Sequence, residues 1–279
     1  MRLKTAEEIA AMRRAGEILA ITLRTMAEAI EPGKTTTLEL DEIAGETLAK
    51  HGAEAPLNGY TPSFSKVPYA HNTCISINNE VIHGVPRADR VIQSGDLVSL
   101  DMDASVDGWC ADAAFSVVVG GGTGADQALV TTAERALAAG IAAARPGARL
   151  GDVGHAIAAV ARGAGYGLLA GHGGHGVGRS MHEEPHVPNE GRAGRGMRLR
   201  PGLVIAIEPM LTAGGRDGYR HDPDGWTVRT ADGSRSAHAE HTIAVTRDGP
   251  RILTAGARTT APARAAHRPA SCAPAEVRG

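Results

Sequence analysis

Asp96-Leu97-Val98-Ser99-Leu100-Asp101-Met102-Asp103-Ala104-Ser105-Val106 and Trp109-Cys110-Ala111-Asp112-Ala113-Ala114-Phe115-Ser116-Val117-Val118-Val119 are two largely apolar runs joined by Asp107-Gly108. Asp-Gly between such runs is a strong hairpin signal, because the two-residue turn needs positive φ at both central positions. With Asp107 and Gly108 as the turn, Asp101 falls opposite Ala114 and Asp103 opposite Asp112. Asp101 and Asp112 then leave the same sheet face as diagonal neighbours, within reach of one ion. Two carboxylates buried on one face repel each other unless a cation sits between them.

Outward from this hairpin, two more acids stand where strands should be apolar. Glu208 closes the run Leu203–Ile207 and is followed by Pro209, and Glu240 lies inside a strand that starts near Ala237 and runs on through Ile243–Val245. One such acid is ordinarily a solvated strand end, but four of them at apolar strands point to a shared ligand role. A nitrogen donor is available in Gly171-His172-Gly173-Gly174-His175-Gly176-Val177-Gly178, where flanking glycines let the backbone approach closely. His182-Glu183-Glu184-Pro185 follows. Carboxylates with one imidazole form a hard, oxygen-rich site that favours Mn(II), Fe(II) or Co(II) over structural zinc. The carboxylates suffice to bridge two ions about 3.5–4 Å apart, an arrangement that activates water.

The remaining chain reads as helices flanking this sheet. Thr5 and Glu8 form a capping-box pattern, and Ile9, Met12, Gly16, Leu19, Leu23, Met26 and Ile30 then mark one helix face up to Pro32-Gly33. Leu40, Ile43, Ala44 and Leu48 mark a second helix ending at Gly52. Helices over about 126–144 and 152–162, separated by Pro146-Gly147, repeat the helix, Pro-Gly break, helix unit. This suggests an internal duplication and an α+β domain of two related halves sharing one antiparallel sheet. Residues 1–255 are expected to form a single catalytic domain. Residues 256–279, rich in Ala, Pro and Arg, are expected to be a disordered tail.

Composition narrows the function. The 279 residues carry 29 Lys and Arg against 31 Asp and Glu, a net charge of −2 that leaves no footprint for nucleic acid or anionic membrane. No run approaches the ~20 apolar residues of a membrane span, and no secretory signal opens the chain. Three cysteines are too few and too odd a set for a disulfide framework, so a cytoplasmic setting is expected. Gly120-Gly121-Gly122-Thr123-Gly124 lacks the Lys of a phosphate loop and reads as a flexible strand–helix connection. Cys110 is expected to pack in the hairpin. His155, His186, His221 and His238 are expected at the surface or in ordinary hydrogen bonds, His172 is expected to be exposed, and His241 is a possible supporting group for Glu240.

Several segments together resemble type I methionine aminopeptidase: Cys74-Ile75-Ser76-Ile77-Asn78, Val81-Ile82-His83-Gly84-Val85-Pro86, His175-Gly176-Val177-Gly178, His182-Glu183-Glu184-Pro185, Ile207-Glu208-Pro209-Met210 and Glu240-His241-Thr242. The resemblance spans roughly residues 5–250 and includes the spacings between motifs. It implies the pita-bread fold, with pseudo-twofold halves. It also implies two divalent cations (Co(II), Mn(II) or Fe(II)): Asp101 chelating one, Asp112 and Glu240 bridging both, and His175 with Glu208 on the second. His83 and His182 correspond to substrate-contacting histidines, and with Glu208 they are the expected catalytic residues. Cys74, Trp226 and Tyr69 correspond to the pocket for the Met side chain. Three departures stand out: extra residues between Tyr60 and Cys74, Met181 where an aromatic residue is common, and the additional His172.

The activity implied is removal of the N-terminal Met from nascent proteins with a small second residue, by a hydroxide held between the cations. The implied partners are nascent N-termini and a transient ribosome contact, with no membrane and a monomeric chain. The rival readings are an X-Pro aminopeptidase or dipeptidase on the same fold, and a binding module that keeps the fold without catalysis. The first rival usually carries a large extra N-terminal domain, for which a first helix starting near Thr5 leaves no room. The second commonly loses ligands that are all intact here.

Overall fold

The computed structural model describes residues 2–62 and 65–256; the tail expected to be disordered lies, except for Gly256, outside them. The chain opens with α1 (Ala6–Glu28) and α2 (Thr37–Lys50), followed by β1 (Cys74–Ile77), β2 (Glu80–Ile82) and the hairpin β3 (Leu97–Val106) and β4 (Trp109–Val118). A second helix pair follows, α3 (Gly124–Ala143) and α4 (Leu150–Gly163). The C-terminal half then runs through β5 (Gly167–Leu168), β6 (Gly173–Gly176), β7 (Glu183–Pro188), β8 (Val204–Ile207) and β9 (Met210–Thr212). It closes with β10 (Tyr219–His221), β11 (Val228–Thr230), β12 (Ser236–His238), β13 (Glu240–Thr246) and β14 (Gly249–Ile252).

Local sequence sets the helix starts. Glu8 N donates to Thr5 Oγ1 at 3.3 Å while Thr5 N donates to Glu8 Oε2 at 2.9 Å, closing the expected capping box. Thr36–Glu39 and Thr123–Asp126 make the same reciprocal pair at α2 and α3. Along α1 the face of Met12, Gly16, Leu19, Leu23 and Met26 is buried. Two cores result. Leu19, Leu23, Leu40 and Leu48 of α1 and α2 pack on Ile75, Val98 and Leu100. Leu137, Val153 and Ile157 of α3 and α4 pack on Ile205, Ile207 and Ile243. One helix pair thus covers each half, in agreement with the suspected duplication.

The eight-stranded antiparallel sheet has the order β1-β3-β4-β13-β8-β6-β7, with β14 beside β13. The β3–β4 register pairs Asp101 with Ala114 and Asp103 with Asp112, as the Asp-Gly turn requires. One element departs from expectation. The strand read as continuous from Ala237 to Val245 is two strands, broken at Ala239. β12 pairs with β9 in a separate three-stranded sheet, whereas β13 pairs with β8 and β4. The opposing chain breaks too: β8 ends at Ile207, and Glu208-Pro209 intervene before β9. Proline has no N–H to continue the ladder, so pairing lapses at this point and Ala239 N reaches Pro209 O at 3.3 Å. Both breaks set an acid loose at the same level of the sheet.

A candidate metal centre

The five expected ligands converge from five parts of the sheet. Asp101 comes from β3, Asp112 from β4, His175 from β6, Glu208 from the break after β8, and Glu240 from the first position of β13. His175 Nε2 lies 3.5 Å from Asp112 Oδ2 and 3.5 Å from Glu208 Oε1. Among the described residues, Asp112, His175 and Glu240 each offer a donor atom within 4.8 Å of the other two. Asp101, Asp112, His175, Glu208 and Glu240 line one cavity of about 50 Å³ together with Leu57, Cys74, His83, Met181 and His182.

Backbone detail explains how His175 gets there. A Cβ on Gly174 would run into the backbone of Ala206 in β8, and one on Gly176 into the backbone of Glu184. Only glycine permits β6 to sit this close to both neighbours, so the pattern around His175 is a packing requirement. His83, directly after β2, has φ 58°, a left-handed conformation uncommon for a residue with a Cβ.

The electrostatics demand a cation. Burial pushes Asp101 and Glu240 well above the ordinary carboxylate range, and the neighbouring Asp112 adds to it. Burial raises Glu208 to about 8, although His175 pulls it down. Burial would lower His175, but the carboxylates of Asp112 and Glu208 outweigh it and lift the imidazole to about 9. Glu240 Oε1 is buried without a hydrogen-bond partner. Without cations, such carboxylates must take up protons or repel; divalent ions remove both costs. The donor set therefore fits hard divalent cations.

The expected substrate contacts gather over this floor. Leu57, Tyr69, Cys74, Met181 and Trp226 form one buried cluster, with Tyr60 and Val85 packed against it. Tyr69 meets Trp226 edge-on at 4.8 Å, and Trp226 meets His83 edge-on at 6.2 Å. Tyr69 Oη lies 2.8 Å from Thr73 O and 3.1 Å from Gly84 O, so its hydroxyl is tied into the backbone and its ring faces the cluster. His182 stacks on Tyr60 at 5.5 Å and lies 4.1 Å from the His175 ring. It keeps an exposed edge, yet the packing around it and the cationic His175 hold its pKa down to about 4. Burial and nearby histidines lower His83 to about 3. Both are neutral at physiological pH.

Sequence reasoning passed over two residues. Asp103, facing Asp112 in the hairpin, is 2% exposed; its Oδ1 accepts from Leu57 N at 3.2 Å, and its Oδ2 has no partner. Its position on the Asp112 face followed from the register already drawn. His238, expected to be an ordinary histidine, is 1% exposed and turns its ring toward three of the five ligands. Alternation two positions before Glu240 was the signal for it. By contrast, His155, His186 and His221 are exposed as expected. His172, expected to be exposed, is half-buried and packs edge-on against Tyr219 at 4.8 Å. His241 Nδ1 pairs with Thr254 Oγ1 at 2.8 Å. Cys110 packs in the hairpin with 2% exposure.

Comparison with known proteins gives the family. The family model for metallopeptidase family M24 matches residues 10–247. Methionine aminopeptidase 1 of Mycobacterium tuberculosis is 48% identical over 259 residues, covering 91% of this chain and 94% of the relative. Methionine aminopeptidase of Aquifex aeolicus is 44% identical, over 90% of this chain and 98% of its own. The crystal structure of methionine aminopeptidase from Thermotoga maritima superposes with a TM-score of 0.86 at 39% identity, covering 91% and 99% of the two chains. Prolidase from Pyrococcus furiosus shares the pita-bread fold at 24% identity and a TM-score of 0.72, and this chain spans 65% of its length. With a match of this extent on both sequence and fold, the chain belongs to metallopeptidase family M24, in the branch of the methionine aminopeptidases.

Proposed function

We propose that this chain is a metal-dependent aminopeptidase that removes the N-terminal Met of nascent proteins and peptides when the second residue is small. The observation that carries this reading is the junction of two surfaces in one cavity: carboxylates and imidazole meet Leu57, Cys74 and Met181, which belong to one buried cluster with Tyr69 and Trp226. A sulfur- and ring-lined pocket suits an unbranched thioether side chain. Metal use follows from the family and the donor set; two ions, drawn from Co(II), Mn(II) or Fe(II), are our assignment.

In this reading Asp101, Asp112, His175, Glu208 and Glu240 would hold the cations, with Asp101 serving one, His175 and Glu208 the other, and Asp112 and Glu240 shared between them. When bound, the ions supply Lewis-acid polarisation of the scissile carbonyl and a nucleophile at neutral pH. Glu208 takes the proton from the attacking water at a carboxylate oxygen and passes it toward the leaving amine. His182, neutral at physiological pH, offers an N–H to the carbonyl oxygen as it gains charge, and His83 contacts the scissile nitrogen or the developing amine. The pocket cluster excludes water from the Met side chain. A substrate emerging during synthesis puts the enzyme in the cytoplasm, in transient contact with the ribosome. The chain acts as a monomer.

The test is hydrolysis of Met-Ala-Ser, Ala-Pro and Met-Pro peptides by metal-free protein titrated with Mn(II), Fe(II) or Co(II). Metal-dependent release of Met from Met-Ala-Ser is expected. Preference for an X-Pro bond would move the protein to the prolidase-like hydrolases. Folded protein without turnover under any metal would indicate a binding module.

A further inference from the structure

We propose that His238 is a positioning residue of the metal centre, donating its Nε2–H to the carboxylates of Glu208 and Glu240 and so fixing them for the cations. The proposal rests on the reading that Asp101, Asp112, His175, Glu208 and Glu240 hold those cations. His238 is 1% exposed, and neither ring nitrogen has a hydrogen-bond partner. Nε2 lies 3.8 Å from Glu208 Oε2 and 3.9 Å from Glu240 Oε2, while Nδ1 lies 4.0 Å from Asp101 Oδ2. A neutral imidazole has one N–H to give, and the Nε2 side faces two carboxylate oxygens against one on the other. Movement of less than about 1 Å brings either oxygen into hydrogen-bond range.

The main chain holds the ring in place. His238 N donates to Ser116 Oγ at 2.9 Å, Ser116 Oγ lies 2.9 Å from His238 O, and β12 pairs His238 with Met210. One residue later the chain changes sheets at Ala239, so His238 and Glu240 are brought side by side from two different sheets. A carboxylate that ligates a cation keeps outward lone pairs, and a buried N–H is the matching partner that fixes its rotamer. Direct ligation by His238 is the less suitable arrangement: His175 Nε2 lies 3.5 Å from both Asp112 Oδ2 and Glu208 Oε1, closer than either His238 nitrogen comes to a carboxylate, and the group of three mutually close donors among the described residues contains His175 and not His238.

The experiment is Co(II) binding to metal-free full-length protein by titration calorimetry, with pulsed electron paramagnetic resonance on the Mn(II) form to count coordinated imidazoles. His238→Ala is expected to weaken Co(II) binding about 10- to 100-fold. His238→Gln, whose amide NH2 supplies N–H donors, is expected to recover most of that loss, and the imidazole count is expected to stay at one in wild type and both variants. Circular dichroism checks folding; if His238→Ala does not fold, His238→Met, which keeps bulk without a donor, takes its place against His238→Gln. Wild-type affinity in the donor-less variant would overturn the proposal while leaving the metal centre intact. Two coordinated imidazoles in wild type, with one lost in His238→Gln, would make His238 a ligand and overturn it as well. Failure of the wild-type protein to bind Co(II) at all would instead remove the underlying metal-centre reading.

Discussion

The floor and the roof of the cavity are built in opposite ways. The floor residues Asp101, Asp112, His175 and Glu240 stand in strands of one hydrogen-bonded sheet, and Glu208 immediately follows another. The roof residues Leu57, Tyr69, Met181 and Trp226 lie outside named strands and helices, and Cys74 only begins β1. A sheet fixes relative position through register, whereas loop residues are fixed through side-chain packing and local hydrogen bonds, such as Tyr69 Oη with Thr73 O or Trp226 Nε1 to Val67 O at 3.0 Å. In the proposed function the floor carries the chemistry, where a small displacement is costly, and the roof carries selectivity, where shape has to suit a side chain.

The sharpest way to break this division is Glu208→Gln. At saturating metal its kcat should fall by about 10³-fold or more with KM little changed, because the amide cannot accept the proton. Unchanged turnover at full occupancy would remove Glu208 from proton transfer. The roof should answer in the other way. Trp226→Ala should lower kcat/KM for Met-Ala-Ser by about 10- to 100-fold, mainly through KM, and cost stability because a buried indole leaves a cavity. A kcat-only effect would show that roof and floor are not separable.

Cation affinity should also follow the floor's protonation. His175, lifted to about 9 in the metal-free protein, must lose its proton to become a ligand. Apparent affinity should therefore rise with pH, by about tenfold per unit below 9 through His175 and more steeply below 8, where Glu208 must also lose a proton, and calorimetry in buffers of different ionisation enthalpy should register the released protons. Affinity flat between pH 6 and 8 would contradict it. The smallest effect concerns the edge of the site. Burial lowers His241 to about 4, so the unfolded chain takes up this proton more readily than the folded one. Its contribution to stability is full above about 6.5 and is lost as pH falls through 4, amounting to about 3 kcal/mol. Denaturant titrations of wild type and His241→Gln across that window should show the difference.

The same contrast explains what the sequence reveals. Asp101 and Asp112 are legible because Asp107-Gly108 fixes a register, and a period of two then assigns faces without tertiary information. Asp103 and His238 were accessible by the same alternation, relative to Asp112 and Glu240, but each looks ordinary until the opposing elements are in place. The switch at Ala239 leaves no local mark. Its cause is the partner strand, where Pro209 interrupts the ladder, and pairing partners are a tertiary property. Tyr69, Cys74 and Trp226 share no period and meet only through long loops, so resemblance to a family was the sole route to grouping them.

The most direct test of the central claim, that these carboxylates are a cation floor serving Met removal, is Asp112→Asn measured for bound Co(II) and for Met release from Met-Ala-Ser on the same samples. The expected result is folded protein that has lost at least one equivalent of tightly bound Co(II) together with about 10³-fold or more of its kcat/KM. Folded Asp112→Asn protein with wild-type Co(II) binding and wild-type Met release would contradict it.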